Sequence, residues 1–466
     1  MAGSTAALQT SRALAKFVAK AQWDQLPPLV RHEAKRSLVN FFSTALAGCR
    51  DPALEAAAAV FSRFSAGTGC TVIGRGESTD ALHAASLNAM SGNVFDFDDT
   101  HLPTIIHPTA PIAPALFALA QTRRIAGQDL LLAFVLGVEI ECRLGNAVSP
   151  GHYQRGWHIT STCGVFGAAV ACARLLGLDA TRTLWSLGNA AAQSGGLVEN
   201  LGSMAKSIGV GNAASNGLLS ALLAQQGFEG PQQPVEGPRG FLRVTAEAPD
   251  IASVTEGLGE HWQLMRNTYK PYPCGVVLNP VIEACLALHA QAPLALEAVE
   301  RVELIGHPLL RERTDRPAPH SGREAQVSAQ HAVAVCLARG KAGLDEFSDA
   351  CVAQCAGDDF ARKVAFVDNA QYGVESATVK VHLRDGRSLS HHVDAARGSL
   401  AAPLSDRDLE DKLATLAAWG GSGCEAGPLI DALWSLDRLD DAATPMPLAA
   451  GLQRTAEHTQ PNPNRS

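Results

Sequence analysis

No stretch of this 466-residue chain reaches the roughly 20 consecutive apolar residues that span a bilayer. Its longest apolar segments, such as Ala110–Ala120, are broken by proline or built from alanine, and they predict buried helices with no membrane partner. The opening MAGSTAALQTSRALAKF has no uninterrupted apolar core, so no secretory signal peptide is expected. A basic excess is missing too. The net charge of −8 argues against nucleic acid as a partner, because phosphate binding needs a basic face. It leaves room for a small anionic substrate, which responds to local charge. Only 18% of residues are charged against 46% hydrophobic, which excludes disorder and supports a sizeable core. The length suits two domains, or one large domain with a satellite. The 11 cysteines are odd in number and scattered, so free, mostly buried thiols in a cytoplasmic protein are expected. Cys351 and Cys355 can share a helix face, but no second pair or nearby His completes a zinc set.

Strand-like alternation is nearly absent as far as Gly227. Asp24–Phe42, Pro52–Phe64, Thr79–Met90, Pro114–Arg123, Gln128–Arg143, Thr162–Leu176, Ala180–Gln193 and Asn212–Gln226 place apolar residues at helical spacing. Alanine and glycine within them allow close approach. After Trp262 the pattern changes. Val299–Ile305 predicts a strand, and ATVKVHLRDGRSLSHHV (Ala377–Val393) predicts a hairpin turning at Asp385-Gly386. Helical stretches Val281–His289 and Ala325–Ala338 accompany these strands. Helices return at Ser405–Ala417 and Gly427–Leu436, and Thr444–Ser466 is polar and rich in proline. The expected fold is mainly α. A large all-α domain is built from both chain ends (1–268 and 399–455), with an inserted α+β lid domain (269–398) and a disordered tail (456–466).

The densest chemistry lies in Asn93–Pro108, NVFDFDDTHLPTIIHP. Three acids (Asp96, Asp98, Asp99), Thr100, His101 and His107 sit among apolar neighbours, where charge needs a partner or a task. A helix over Met90–Thr100 would put Asp96 and Thr100 one turn apart on one face. Asp-x-Asp-x-Thr also matches the opening of haloacid dehalogenase-like phosphatases, with Asp96 as nucleophile, Asp98 as acid and Mg²⁺ between them. Gly357-Asp358-Asp359 would mimic their distal acids. The preceding SLNAMSGNV is no β-strand, however, and no βαβ series follows. A surface acid cluster and a non-catalytic helical scaffold are the plain alternatives.

Four further segments matter. His158 precedes ITSTCGVFGAA, a Thr/Ser-initiated helix whose exposed N–H groups favour an anion; its plain reading is a capping histidine. Lys206, in GSMAK, leads a helix of small residues, SIGVGNAASNG, and is either semi-buried with a carboxylate partner or a solvated surface lysine. Gly209-x-Gly211 there is no dinucleotide fingerprint, since no strand precedes it. Lys270, in YKPYPC, is stiffened by two prolines, either at a cleft or in an exposed linker. Gln326–His331 opens an apolar helix.

DFDDT–HP, GWH–CGVFGAA, GSMAK–NAASNG and YKPYPC stand in an order and spacing that resembles the MmgE/PrpD family, as does the closing RGSLAAPLSDRDLEDK. The resemblance implies a homodimer with its active site between domains, a small branched di- or tricarboxylate substrate, and neither metal nor organic cofactor. It implies a hydro-lyase of the 2-methylcitrate dehydratase type. An iminodisuccinate-type epimerase and a cis-aconitate-type decarboxylase are the alternatives. Asp96, Thr100 and His107 match the family's acidic segment and following His; His158, Lys206 and Lys270 match its His and two Lys. Gly209 and Asn279 stand where many members carry His, and His331 where the decarboxylases carry Tyr.

The shared chemistry begins at a carbon next to a carboxylate, where developing negative charge needs cations and donors. Lys206 and Lys270 are expected to clamp the substrate and stabilise that charge. His107 and His158 are expected to move the proton, with His331 as a second acid. Asp96 would orient an imidazole or act as base, and Thr100 would bind a substrate carboxylate or hydroxyl.

Overall fold

A computed structural model of the chain describes residues 9–355 and 358–452. The protein is mainly α. Its first compact unit holds the described residues up to Val94, then Asp98–Asn267 and the stretch from Asp406. The second holds Phe95–Phe97 and Thr268–Ser405. The expected tail, 456–466, lies outside the described residues.

In the first unit, α1 (Thr10–Lys20), α2 (Pro28–Gly48) and α3 (Pro52–Phe61) lead to a short antiparallel pair, β1 (Cys70–Val72) and β2 (Glu77–Thr79). Then come α4 (Ala81–Asn93), β3 (Asp99–His101), α5 (Thr109–Ala120), α6 (Gly127–Val148), α7 (Ile159–Leu175), α8 (Ala180–Ala191) and α9 (Ala205–Gln225). Helix α7 is at the centre, packed against α5, α6, α8 and α9. Its residues Val165, Phe166, Ala169 and Val170 are wholly buried. Small residues set the spacing. A Cβ on Gly137 would lie 2.9 Å from the Gly167 carbonyl oxygen, and one on Gly167 would lie 3.0 Å from that of Gly137.

Two expectations are corrected here. Helix α4 stops at Asn93, and Met90–Thr100 is not helical. Asp96 adopts a left-handed backbone at φ 51°, uncommon for a residue with a Cβ, and β3 follows at once. Asp96 and Thr100 therefore do not share a helix face. The same break removes the phosphatase reading, because Asp96-x-Asp98-x-Thr100 follows a helix and not a strand. The expected shortage of strands also missed β1, β2 and β3, each only three residues long.

The second unit has its own core. A four-stranded sheet has the order β5-β4-β6-β7, with β4 Val299–Gly306, β5 Val364–Asp368, β6 Ala377–Leu383 and β7 Ser388–Val393. Strands β4 and β5 are parallel; the other neighbours are antiparallel. The hairpin expected at Asp385-Gly386 joins β6 to β7. Val379, Val381 and Leu383 alternate inward, as period-2 patterning requires. Helices α10 (Asn279–Gln291) and α11 (Ala329–Arg339) pack together, and α10 covers the hairpin. A further short helix, α12 (Asp349–Gln354), precedes β5. The chain then returns to the first unit with α13 (Asp406–Gly420) and α14 (Ala426–Trp434). Among the described residues no helix is long and apolar enough to cross a membrane.

Candidate active site

Four of the expected residues belong to the first unit: Thr100, His107, His158 and Lys206. His107 is buried in the loop between β3 and α5. Its Nδ1 lies 2.8 Å from the Asp99 carbonyl oxygen, an acceptor only, so Nδ1 carries the hydrogen and Nε2 is the basic nitrogen. Thr100 Oγ1 is 3.4 Å from the same Nδ1, and Asp98 Oδ1 is 3.3 Å away. The His107 amide donates to Thr160 Oγ1 at 3.1 Å, which ties the loop to the first turn of α7.

His158 caps that same helix. Its Nδ1 and Ser161 Oγ are 2.7 Å apart, so the ring orientation is fixed from inside its own turn. Lys206 is half-buried on the first turn of α9. Gly209 is three residues further on, on the same helix face. A Cβ there would come within 2.8 Å of Ser161 Oγ. The first turns of α7 and α9 thus meet through Ser161 and Gly209. Neither turn carries an acid, and the partial positive charge of both N-termini is left for an anion.

This packing makes Gly209→Ala informative. Alanine is favoured over glycine in a helix by about 1 kcal/mol, so the melting temperature should hold or rise. Turnover should fall about tenfold as Ser161 is pushed off His158. Wild-type turnover in the variant would show that the Ser161 hydroxyl does not set the ring.

Asp98 and Asp99, which the sequence reading counted in the acid cluster without a role in the carboxylate chemistry, precede and open β3. Asp98 accepts from Asn93 Nδ2 at 2.6 Å and faces the His107 ring. Asp99 accepts from Asn267 Nδ2 at 2.6 Å and from the Thr109 hydroxyl. Complete burial nonetheless raises its carboxyl to about 7. Glu141, on α6, is also fully buried, and neither of its oxygens has a hydrogen-bond partner among the described residues. Burial, and then the nearby Asp99 charge, push its pKa well up. The signal was there: Glu139 has Arg143 one turn on, whereas Glu141 sits in the apolar run with no cation at that spacing. His101, by contrast, is structural. Burial holds it down to about 3, and its ring nitrogens meet Thr104 and Gln263.

Asp96, Lys270 and His331 belong to the second unit. Lys270 is 2% exposed, which removes the exposed-linker reading. Its ammonium donates to both the carbonyl oxygen and Oδ2 of Asp96, at 2.8 and 2.9 Å. One cation therefore holds the left-handed residue at two points. His331 is buried near the start of α11, and its Nε2 donates to the Glu346 carbonyl at 2.8 Å. Burial lowers its pKa, so it is neutral at physiological pH. Acting as an acid through Nε2 would require giving that bond up. Asn279 is buried at the start of α10 beside Cys274.

Asp98 and His107 belong to the group of acids and imidazoles among the described residues that could hold a metal ion. The Nδ1–H committed to the Asp99 carbonyl makes that nitrogen a donor and not a ligand.

The fold and these side chains define a recognisable class. The MmgE/PrpD N-terminal domain matches residues 12–253 and the MmgE/PrpD C-terminal domain matches residues 272–436, and the chain belongs to this family of enzymes. It is 27% identical over 445 residues to the cis-aconitate decarboxylase of Homo sapiens, covering 91% of this chain and 90% of that protein. With the cis-aconitate decarboxylase of Aspergillus terreus it shares 28% over 450 residues, covering 90% and 91%. The cis-aconitate decarboxylase-like protein oryM of Aspergillus oryzae is 27% identical over 435 residues, covering 87% and 90%.

Proposed function

We propose that this enzyme is a lyase of small di- or tricarboxylates, and that it decarboxylates an unsaturated tricarboxylate of the cis-aconitate kind. The observation that carries this reading is the junction of α7 and α9. There two acid-free helix starts meet through Ser161 and Gly209, with His158 on the first and Lys206 on the second, and Thr160 ties His107 to the first. Such a place binds carboxylates and offers imidazoles for proton transfer. The similarity to cis-aconitate decarboxylases supports the choice of substrate.

In the proposed reaction the C–C bond to one carboxylate breaks and CO₂ leaves. Its electron pair stays on the carbon, conjugated with the remaining carboxylates. Lys206 and Lys270 stabilise that charge, a contribution of the kind worth about 10²–10³ in rate. One of His107 and His158 then delivers a proton to carbon, and Thr100 binds a substrate carboxylate. Asp96 holds Lys270.

A hydro-lyase acting on a branched hydroxy acid such as 2-methylcitrate is the second reading. It is favoured by His331, which stands where the family's decarboxylases carry Tyr. The proposal includes a cytoplasmic homodimer, as the family resemblance implies, and turnover that survives EDTA.

The test is to incubate the protein with cis-aconitate, citrate, 2-methylcitrate and iminodisuccinate and to read products by NMR. Decarboxylation of cis-aconitate supports the first reading, and dehydration of a hydroxy acid supports the second. No reaction with any of the four removes both. Citrate at millimolar concentration should also raise the melting temperature by occupying the anion site. An unchanged melting curve would count against a polycarboxylate site.

A further inference from the structure

Helix α12 carries a feature that the proposed lyase chemistry does not use. Cys351 and Cys355 sit one turn apart, with Sγ atoms 3.2 Å from each other. Cys351 is 3% exposed, and its amide is held by the Ser348 capping hydroxyl. Cys355 is half-buried and follows the last helical residue, with ψ at 160°, so helical geometry does not restrain it. It also lines a cavity of about 130 Å³ with Gln330, His331, His320, Val352 and Phe360, all in the second unit. A cavity of that size has room for a small hydroperoxide. Of the other nine cysteines, eight are buried and only Cys424 is partly exposed.

We propose that Cys355 is a site of reversible oxidation by hydrogen peroxide or a comparably small hydroperoxide, with Cys351 as the resolving thiol. The Cys355 thiolate attacks the peroxide oxygen; the O–O bond breaks, hydroxide leaves and a sulfenic acid forms. The Cys351 sulfur then attacks the Cys355 sulfur, and the sulfenic oxygen departs as water. The product is a Cys351–Cys355 disulfide, and a dithiol reductant returns both thiols. The sulfurs must close from 3.2 Å to about 2.05 Å.

The electrostatics agree with these roles. The hydrogen bond from Cys351, then the positive charge of Arg339, lower Cys355 to about 6 against the opposing effect of burial. The Cys351 thiol is raised, so it keeps its hydrogen and donates it. Burial raises the thiol of Cys424, which makes that residue the internal reference for access without thiolate character.

Both cysteines fall in one tryptic peptide, Ala342–Arg362. The full chain is treated with hydrogen peroxide, quenched with catalase, denatured, alkylated and digested. The expected result is that this peptide becomes lighter by two hydrogen atoms and resists alkylation, while the Cys424 peptide still alkylates. Dithiothreitol should reverse the change. In Cys351→Ser, Cys355 should instead accumulate as a dimedone-reactive sulfenic acid. In Cys355→Ser, Cys351 should stay fully alkylable. Alkylation of both cysteines after peroxide treatment that oxidises Cys424 would overturn the proposal. So would loss of Cys351 in Cys355→Ser at the wild-type rate.

Discussion

Lys270→Met should lose turnover by about a thousandfold and melt about 3–5 °C below the wild type. The two effects have separate causes. On the stability side, the ammonium holds Asp96 through its carbonyl and its carboxylate, at 2.8 and 2.9 Å. Asp96 keeps a left-handed backbone at φ 51°, a conformation that costs a residue with a Cβ about 1–2 kcal/mol. Removing one partner of a buried ion pair costs about 3–5 kcal/mol, and at an unfolding entropy of about 2 cal/mol/K per residue each kcal/mol shifts a chain of this length by about 1 °C. On the activity side, Lys270 is one of the two cations that the proposed reaction assigns to the developing charge. The double variant Lys270→Met/Asp96→Asn should regain most of the melting temperature and none of the turnover. Lys206→Met is the contrast. Lys206 is half-buried on the first turn of α9, so its loss should cost activity heavily and stability little. Thermal denaturation beside steady-state rates checks all three. Wild-type turnover in Lys270→Met would remove this lysine from the chemistry.

Glu141→Gln should stabilise the protein, and the gain should grow with pH. The folded-state pKa of Glu141 is raised well above 4.5 by burial, so folding keeps it protonated. Below about pH 4.5 the unfolded chain is protonated as well, and the carboxyl makes no difference. As pH rises from there, the unfolded chain ionises and the folded chain does not. Stability then falls by about 1.4 kcal/mol per pH unit until the folded pKa is reached. Glutamine does not titrate, so the variant escapes this slope. Asp99, raised to about 7, adds a slope of the same sign to both proteins that ends near pH 7. Melting curves of the two proteins from pH 4.5 to 8.5 should therefore diverge as pH rises, with the variant higher. Parallel curves would show that Glu141 ionises in the fold.

Periodicity made most of the helices legible, since apolar stripes at 3.6 spacing must be buried. The hairpin of β6 and β7 was equally plain, because Asp385-Gly386 separates two alternating runs. What escaped is what local pattern does not encode. Helix α5 begins at Thr109 with Pro111 and Pro114 inside it, where a helix starting at Pro114 was expected. Helix α9 begins at Ala205, so that Lys206 lies on its first turn and not ahead of it. The turn at Asp96 depends on Lys270, 174 residues further along the chain, and no local window contains both. The family motifs marked His107, His158 and Lys206. Asp98 beside His107 and Ser161 beside His158 emerged only from the packing of β3, α7 and α9.

The proposed proton delivery to carbon by an imidazole, on a polycarboxylate held by lysines, is followed most directly by running the reaction in D₂O and locating deuterium in the product by NMR. With cis-aconitate, the product should carry a single deuteron from solvent at the protonated carbon, with one stereochemistry, and His107→Gln or His158→Gln should suppress it. A product free of solvent deuterium, or one labelled equally by both variants, would contradict the account.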